Sequence, residues 1–277
     1  MLSSSGSISP QGYDRFRKYL EKESGISLSD NKQYLVASRL GKLLEREKFT
    51  KIEELVTALE RSGRVSKLRE EVINAMTTNE TLWFRDSHPF KILKELILPQ
   101  MDKRPVRIWS AASSTGQEPY SISMVLEEYK QFKPGALKPG EKIIATDICT
   151  NILQHAKQAE YDSLAIARGL SPDNQNRYFE KLSDSVWKVK PHISSRVEFK
   201  HLNLIDSFTT LGKFDVIFCR NVLIYFTAET KLDILKRMHA SLNPGGYLFL
   251  GGSEALSGLS SMFDIVQCHP GIVYKAK

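Results

Sequence analysis

The stretch from Val106 to Tyr120 constrains the fold more than any other part of the chain. Val106-Arg107-Ile108-Trp109 is an apolar run of strand type, and Ser110-Ala111-Ala112-Ser113-Ser114-Thr115-Gly116 follows as a small-residue loop. Gln117-Glu118-Pro119-Tyr120 then opens a helix, where Pro119 is tolerated because the N–H it lacks would be unpaired in a first turn. Strand, tight loop and helix make the first βα unit of a nucleotide-type α/β fold, with side chains small enough for backbone N–H groups to approach a ligand. The loop holds a single glycine, so the G-x-G-x-x-G fingerprint is absent, and an ordinary βα turn fits this stretch equally well on its own.

Upstream, apolar residues recur at helical spacing. Tyr13, Phe16, Tyr19 and Leu20 predict a helix from Pro10 to about Glu23, closed by Gly25, after a Ser-rich flexible tail over 1–9. Asp30 reads as the cap of a second helix reaching about Lys48, with Gln33 closing a capping box and Val36, Leu40, Leu43 and Leu44 inward. Lys32, Arg39, Lys42 and Arg46 fall on another side of that helix as one basic stripe. Thr50-Lys51-Ile52-Glu53 reads as a second capping box, opening a helix to about Glu60 that Ser62-Gly63 breaks. A fourth helix over 65–76 turns Val65, Leu68, Val72, Ile73 and Met76 inward. Residues 1–85 are therefore expected to form a small all-helical domain, and 86–277 a second domain.

Beyond Tyr129 a loop with Pro134, Gly135, Pro139 and Gly140 leads to Lys142-Ile143-Ile144-Ala145-Thr146-Asp147, a buried strand ending in an acid. In α/β nucleotide sites an acid at the tip of the second strand accepts the ribose hydroxyls, although a lone Asp at a strand end is more often a helix cap. A helix over 151–159 comes next. The rhythm then breaks into a β-rich insertion over about 161–200, with strands at 185–190 and 193–200 around Pro191. Phe214-Asp215-Val216-Ile217-Phe218-Cys219 is a central strand, and Arg220 and Asn221 sit at its carboxyl tip, where open α/β sheets bind ligands. Thr227 caps a helix over 228–242, Asn243-Pro244-Gly245-Gly246 turns it into a strand at 247–250, and a hairpin over 263–274 closes the domain. With its Phe214-Asp215-Val216-Ile217 strand followed by a helix and Pro244-Gly245-Gly246, this order resembles the S-adenosylmethionine-dependent methyltransferase variant of the doubly wound α/β sheet.

Five segments, taken together and in order, resemble the CheR family of chemotaxis receptor methyltransferases. They are Asn79 to Arg85, Trp109 to Ser121, Ala145 to Ile148, Phe218 to Phe226 and Leu242 to Glu254. The resemblance implies a protein-glutamate O-methyltransferase. Such an enzyme uses S-adenosylmethionine to esterify glutamate side chains in the cytoplasmic methylation region of chemoreceptors during sensory adaptation, and S-adenosylhomocysteine is the product. Carried over by position, it implies that Asn79, Thr81 and Arg85 hold the methionyl end and part of the adenosine. Glu118 lies near the methionyl ammonium, Asp147 takes the ribose hydroxyls, Asn203 and Leu204 flank the adenine, and Arg220 and Asn221 line the cofactor near the sulfonium. Arg85 and Tyr225 come closest to the transferring methyl and the incoming carboxylate. No metal is implied. Without the resemblance, Tyr225 reads as an aromatic that packs after its strand.

Two departures bear on partners. Gln117 stands where the family often has an acid beside Glu118, and Phe179 to Val197 contains no glycine, which predicts weak or no tethering of the receptor's C-terminal pentapeptide. The net charge is +7, from 39 Lys and Arg against 32 Asp and Glu, which suits an acidic partner. The basic stripe is either a solvated helix face or a docking surface for the acidic receptor helices. A nucleic-acid methyltransferase of the amino-methylating kind would carry an Asn/Asp-Pro-Pro-aromatic motif where this chain has Arg220-Asn221-Val222-Leu223, so no nucleic-acid partner is expected. A non-catalytic cofactor-binding protein would not need Arg85, Asp147, Asn221 and Tyr225 all intact. The three cysteines, Cys149, Cys219 and Cys268, are too scattered for a disulfide framework or zinc site and read as small buried hydrophobes. No signal pattern is visible in 1–9, and no run approaches the ~20 apolar residues that cross a bilayer. A cytoplasmic monomer, associated with receptor arrays through protein contacts, is expected.

Overall fold

The structure, a computed structural model, describes residues 8–63, 66–101, 104–256 and 258–277. Residues 1–7 of the expected tail, and the expected inward Val65, lie outside these. Four helices come first: α1 (Pro10–Ser24), α2 (Gln33–Arg46), α3 (Ile52–Arg61) and α4 (Lys67–Met76). Their apolar stripes meet in one core of Tyr13, Phe16, Leu20, Val36, Leu40, Leu55, Val56, Val72 and Met76. Ser9 caps α1 by accepting the Gly12 N–H at 2.9 Å, and Gly25 ends it at φ 77°, its N–H donated to Glu21 O. Both expected capping boxes shift. Helix α2 starts at Gln33 behind Lys32 with no side-chain cap, because Asp30 is drawn to Arg17 of α1 at 2.6 Å. At α3 the acid that accepts the Thr50 N–H is Glu54, at 2.7 Å, while Glu53 is engaged by the Ser9 hydroxyl.

The basic stripe is largely spent inside the molecule. Arg39 donates to the carbonyls of Met76 (2.6 Å) and Thr77 (3.0 Å) and to the Thr78 hydroxyl (2.8 Å), closing the end of α4. Arg46 is paired with Glu47 and Glu71, and Lys32 lies over the Tyr34 ring. Of the stripe, only Lys42 is exposed with no partner among the described residues.

A helical run that the sequence reading did not anticipate, α5 (His88–Ile92) continued over 93–100, leads to β1 (Arg107–Ala111). Then follow α6 (Gln117–Phe132), β2 (Lys142–Asp147) and α7 (Thr150–Gln158). The insertion contains β3 (Glu160–Asp162), α8 (Ser163–Ala167), α9 (Pro172–Tyr178), β4 (Phe179–Lys181), β5 (Val186–Val189) and α10 (Pro191–Ser194). The last part is β6 (Val197–His201), β7 (Phe214–Cys219), α11 (Ala228–Ser241), β8 (Leu242–Leu250), β9 (Phe263–Gln267) and β10 (Ile272–Ala276).

The large sheet has the order β6-β2-β1-β7-β8-β10-β9, and β10 alone runs against its neighbours. Strands β2 and β7 are buried almost throughout, as parallel strands covered on both faces must be. One apolar layer packs under α11 and the other under α5 and α6. The strand expected over 193–200 is divided: Pro191 starts a helical turn, and the residues from Val197 pair with β2 in the large sheet. The separate sheet, β3-β5-β4, ends at Val189.

Trp83 links the two sheets. It is fully buried, stacks edge-on against Tyr161 (4.8 Å) and Phe179 (5.1 Å), and donates its indole N–H to Ala165 O at 3.1 Å. Gly169 lies against its backbone at φ 95°, and a Cβ there would stand 2.2 Å from Trp83 O. Gly169→Ala should therefore destabilise the protein by well over about 1 kcal/mol, whereas Gly41→Ala, on the open face of α2, should stabilise it by about 0.5–1 kcal/mol. Urea denaturation of the two variants checks the difference in sign.

Candidate active site

In the large sheet the chain runs outward from β1 through β2 to β6, then returns to the other side of β1 as β7. The carboxyl ends of β1 and β7 therefore diverge, and their following loops leave a crevice. A cavity occupies it. All ten residues nominated for catalysis and cofactor binding line this cavity: Asn79, Thr81, Arg85, Glu118, Asp147, Asn203, Leu204, Arg220, Asn221 and Tyr225. The helical domain forms one wall through Ser24, Ile26 and the segment from Met76 to Thr78 that Arg39 holds. Lys32, Arg39, Lys42 and Arg46 are not among the lining residues.

The loop after β1 is shaped by its backbone. Ala112, Ser114 and Gly116 all take positive φ, and Ser113 N–H is donated to Thr146 O at 2.9 Å. Asp147, at the tip of β2, accepts the N–H groups of Ser114 (Oδ2, 2.9 Å) and Cys149 (Oδ1, 2.9 Å). Burial pushes its pKa up, against the pull of those N–H donors. Each carboxylate oxygen keeps acceptor capacity on the cavity side. The Ser114 hydroxyl donates to Asn79 O at 2.8 Å, tying the loop to the segment between the helical domain and the sheet.

Arg220 is the most engaged charge in the site. Its side chain is 2% exposed and donates to Glu118 Oε2 (2.9 Å), Asp86 Oδ2 (2.7 Å) and Arg85 O (2.7 Å). Glu118 is fixed in turn by the Ser110 hydroxyl at 2.8 Å. Two carboxylates compensate its charge, while its Nε is buried with no hydrogen-bond partner among the described residues. Arg85 differs: its guanidinium donates to Glu80 O at 3.2 Å and forms no ion pair among the described residues, the nearby Glu80 carboxylate being paired with Arg168. Asn203 reaches the cavity, but its amide donates to Glu23 O at 2.9 Å and so secures the end of α1. Ser27 N–H, donated to Tyr225 O at 2.8 Å, fastens the same wall to the turn that carries Tyr225.

Two groups lie in the segments that resemble the CheR family but were given no role from the sequence. Ser113 Oγ is buried, lines the cavity and has no hydrogen-bond partner among the described residues. Glu254 lies behind the cavity and binds the loop after β7 through its carboxylate; the glycine pair Gly251-Gly252 before it was the only local signal.

The sheet order, the acid at the tip of β2 and the crevice between β1 and β7 define a class I methyltransferase fold. The all-alpha domain of CheR methyltransferases matches residues 11–77, and their SAM binding domain matches residues 79–272. Chemotaxis protein methyltransferase Cher2 of Pseudomonas putida is 54% identical over 269 residues, spanning 96% of this chain and 98% of that protein. Chemotaxis protein methyltransferase 1 of Pseudomonas aeruginosa is 55% identical over 271 residues, 96% of this chain and 97% of that protein. The chemotaxis protein methyltransferase of Vibrio parahaemolyticus is 50% identical over 272 residues, 98% of each chain. The chain belongs to the CheR methyltransferase family.

The cavity suits S-adenosylmethionine: an unpartnered buried hydroxyl (Ser113) and a buried carboxylate (Asp147) stand where a polar ligand can satisfy them. Asp147→Asn keeps one acceptor oxygen and turns an amide N–H₂ toward a backbone N–H, so affinity for S-adenosylhomocysteine should fall by at least about tenfold, or about 1.4 kcal/mol. Because donors favour the ionised carboxylate, wild-type affinity should weaken as pH falls through the raised pKa of Asp147, and the variant should lose that dependence. Calorimetry across the acid range measures both.

Proposed function

We propose that the protein transfers a methyl group from S-adenosylmethionine to glutamate side chains in the cytoplasmic methylation region of chemoreceptors. The products are glutamate methyl esters and S-adenosylhomocysteine. The observation that carries this reading is the contrast between two arginines lining one cavity. Arg220 is neutralised by two carboxylates, whereas Arg85, which lines the same cavity as Tyr225, forms no ion pair among the described residues; the nearby Glu80 carboxylate is itself paired with Arg168, so Arg85 can receive a carboxylate from a substrate. The names of the relatives agree with a substrate in chemotaxis.

Bound S-adenosylmethionine supplies a methyl already activated by the positive sulfonium. A glutamate carboxylate has a pKa near ~4.3 in water and arrives ionised, so the site needs no general base. Arg85 orients it through paired N–H donors and Tyr225 donates one hydrogen bond. The work left to the protein is in-line alignment and exclusion of water, the latter by Val222, Phe226 and the wall from the helical domain. Asp147, Ser113 and the backbone of the loop after β1 hold the nucleoside side, and Asn79, Thr81 and Asn221 border the rest.

The small sheet bears on receptor attachment. Its strands β3 and β4 have three residues each, and the turn between β4 and β5 has no glycine, which supports weak or no binding of a receptor tail pentapeptide. At the helical domain, Lys42 is the cation of the stripe left for an acidic receptor helix.

With S-adenosylmethionine labelled on the methyl, label should appear on receptor-containing membranes and leave as volatile methanol under mild base. Base-stable label in tRNA or DNA instead would overturn the reading. Tyr225→Phe should lower kcat by about tenfold or more with little change in S-adenosylhomocysteine affinity, as expected for a donor that acts in the transition state. Lys42→Glu should raise KM for receptor and leave S-adenosylhomocysteine affinity alone. Arg39→Ala should weaken S-adenosylhomocysteine binding as well, because Arg39 holds residues 76–78 of the cavity wall.

A further inference from the structure

The loop that carries Asn221 and Tyr225 is seated in the core by Leu223 and Phe226 and joined to the helical domain at Tyr225 O. It leaves β7 through Asn221 at φ 58°, a left-handed conformation, and then winds through a short turn, Leu223–Tyr225. Its first backbone N–H groups are held from the segment that follows β8. Glu254 Oε2 accepts the N–H groups of Asn221 (2.8 Å) and Gly251 (2.7 Å), and Oε1 accepts those of Val222 (3.0 Å) and Ile224 (3.3 Å). One carboxylate thus gathers four backbone donors. Charge-assisted bonds of this kind are stronger than neutral ones, and convergent N–H groups make an anion-binding concavity. Gly251 leaves the carboxylate room: a Cβ there would lie 2.7 Å from Glu254 Oε2 and 2.8 Å from Asn221 N. Glu254 itself is not among the residues lining the cavity.

We infer that Glu254 is a positioning residue for methyl transfer, which sets the loop from Asn221 to Tyr225 and thereby aims the Tyr225 hydroxyl at the incoming carboxylate. This rests on the receptor-methylation reading above. A side chain outside the cavity thus controls the geometry of two that line it. A neutral amide in its place turns an N–H₂ toward backbone donors on one side, so the loop loses half of its anchor while the sheet behind it is untouched.

The test uses Glu254→Gln in the full chain. Hydrogen exchange should show lost protection at the amides of Asn221, Val222 and Ile224, with β7 and β8 unaffected. Receptor methylation should lose about tenfold or more in kcat, with KM for S-adenosylmethionine changed by less than about threefold. In a Tyr225→Phe background the same substitution should cost much less, because residues acting through one group are not additive. Glu254→Asp, which keeps the charge but withdraws the carboxylate by one methylene, should give the same signature and stands in if Glu254→Gln fails to fold. Unchanged protection, or full additivity with Tyr225→Phe, overturns the inference. Loss of protection in the variant, together with no receptor methylation by the wild type, sinks the receptor reading and leaves Glu254 as the anchor of the loop.

Discussion

The buried guanidinium of Arg220 is the constraint on which the site depends. A cation held at 2% exposure cannot be left without partners, and removing one from such a pair costs about 3–5 kcal/mol. Three chain segments are tied together to meet that demand: Glu118 in the first turn of α6, Asp86 and the carbonyl of Arg85 after the helical domain, and Arg220 at the tip of β7. Asp86 is 41% exposed, so its pair is partly screened and Glu118 carries most of the compensation. The network fixes the backbone of Arg85, whose guanidinium lines the cavity without an ion pair among the described residues.

That backbone is strained. Phe84, Asp86 and Ser87 take positive φ values of 48°, 65° and 42°, each costing on the order of 1–3 kcal/mol in a residue with a side chain. The turn is held by Arg220 on one side and by the Ser121 hydroxyl, which accepts the Phe84 N–H at 3.1 Å, on the other. Buried Trp83 next to it anchors the segment to the small sheet. Strain of this kind persists where surrounding contacts over-determine the backbone, and here it lies beside the reactive end of the cavity. The insertion therefore does more than decorate the sheet: its aromatic cluster holds the start of the segment that presents Arg85.

The helical domain completes the cavity rather than standing apart from it. Thr150 exchanges hydrogen bonds with Asn74, Asn203 reaches Glu23 O, and Ser27 meets Tyr225 O. Arg39, which from sequence belonged to a candidate docking stripe, braces the end of α4 where it becomes cavity wall. Helical periodicity showed that Arg39 left the apolar face of α2; it could not show that the carbonyls at the end of another helix were waiting for it.

Sequence alone determined the order of elements from β1 to α7 and from β7 to β10, because a strand, a small-residue loop, a helix and a strand ending in Asp147 carry their periodicities and breakers locally, whereas the run over 88–100 and the insertion do not. It also nominated the ten lining residues, because each follows a strand tip or lies in a segment resembling the CheR family. Only the tertiary structure decided what each charge does. Arg85, Arg220 and Arg39 are the same residue type, yet one forms no ion pair among the described residues, one is compensated and one caps a helix, according to which distant carboxylates and carbonyls the fold brings near. Glu254 was out of reach for the same reason: its partners are backbone N–H groups some thirty residues away, and a backbone group leaves no mark in the sequence of the side chain that binds it.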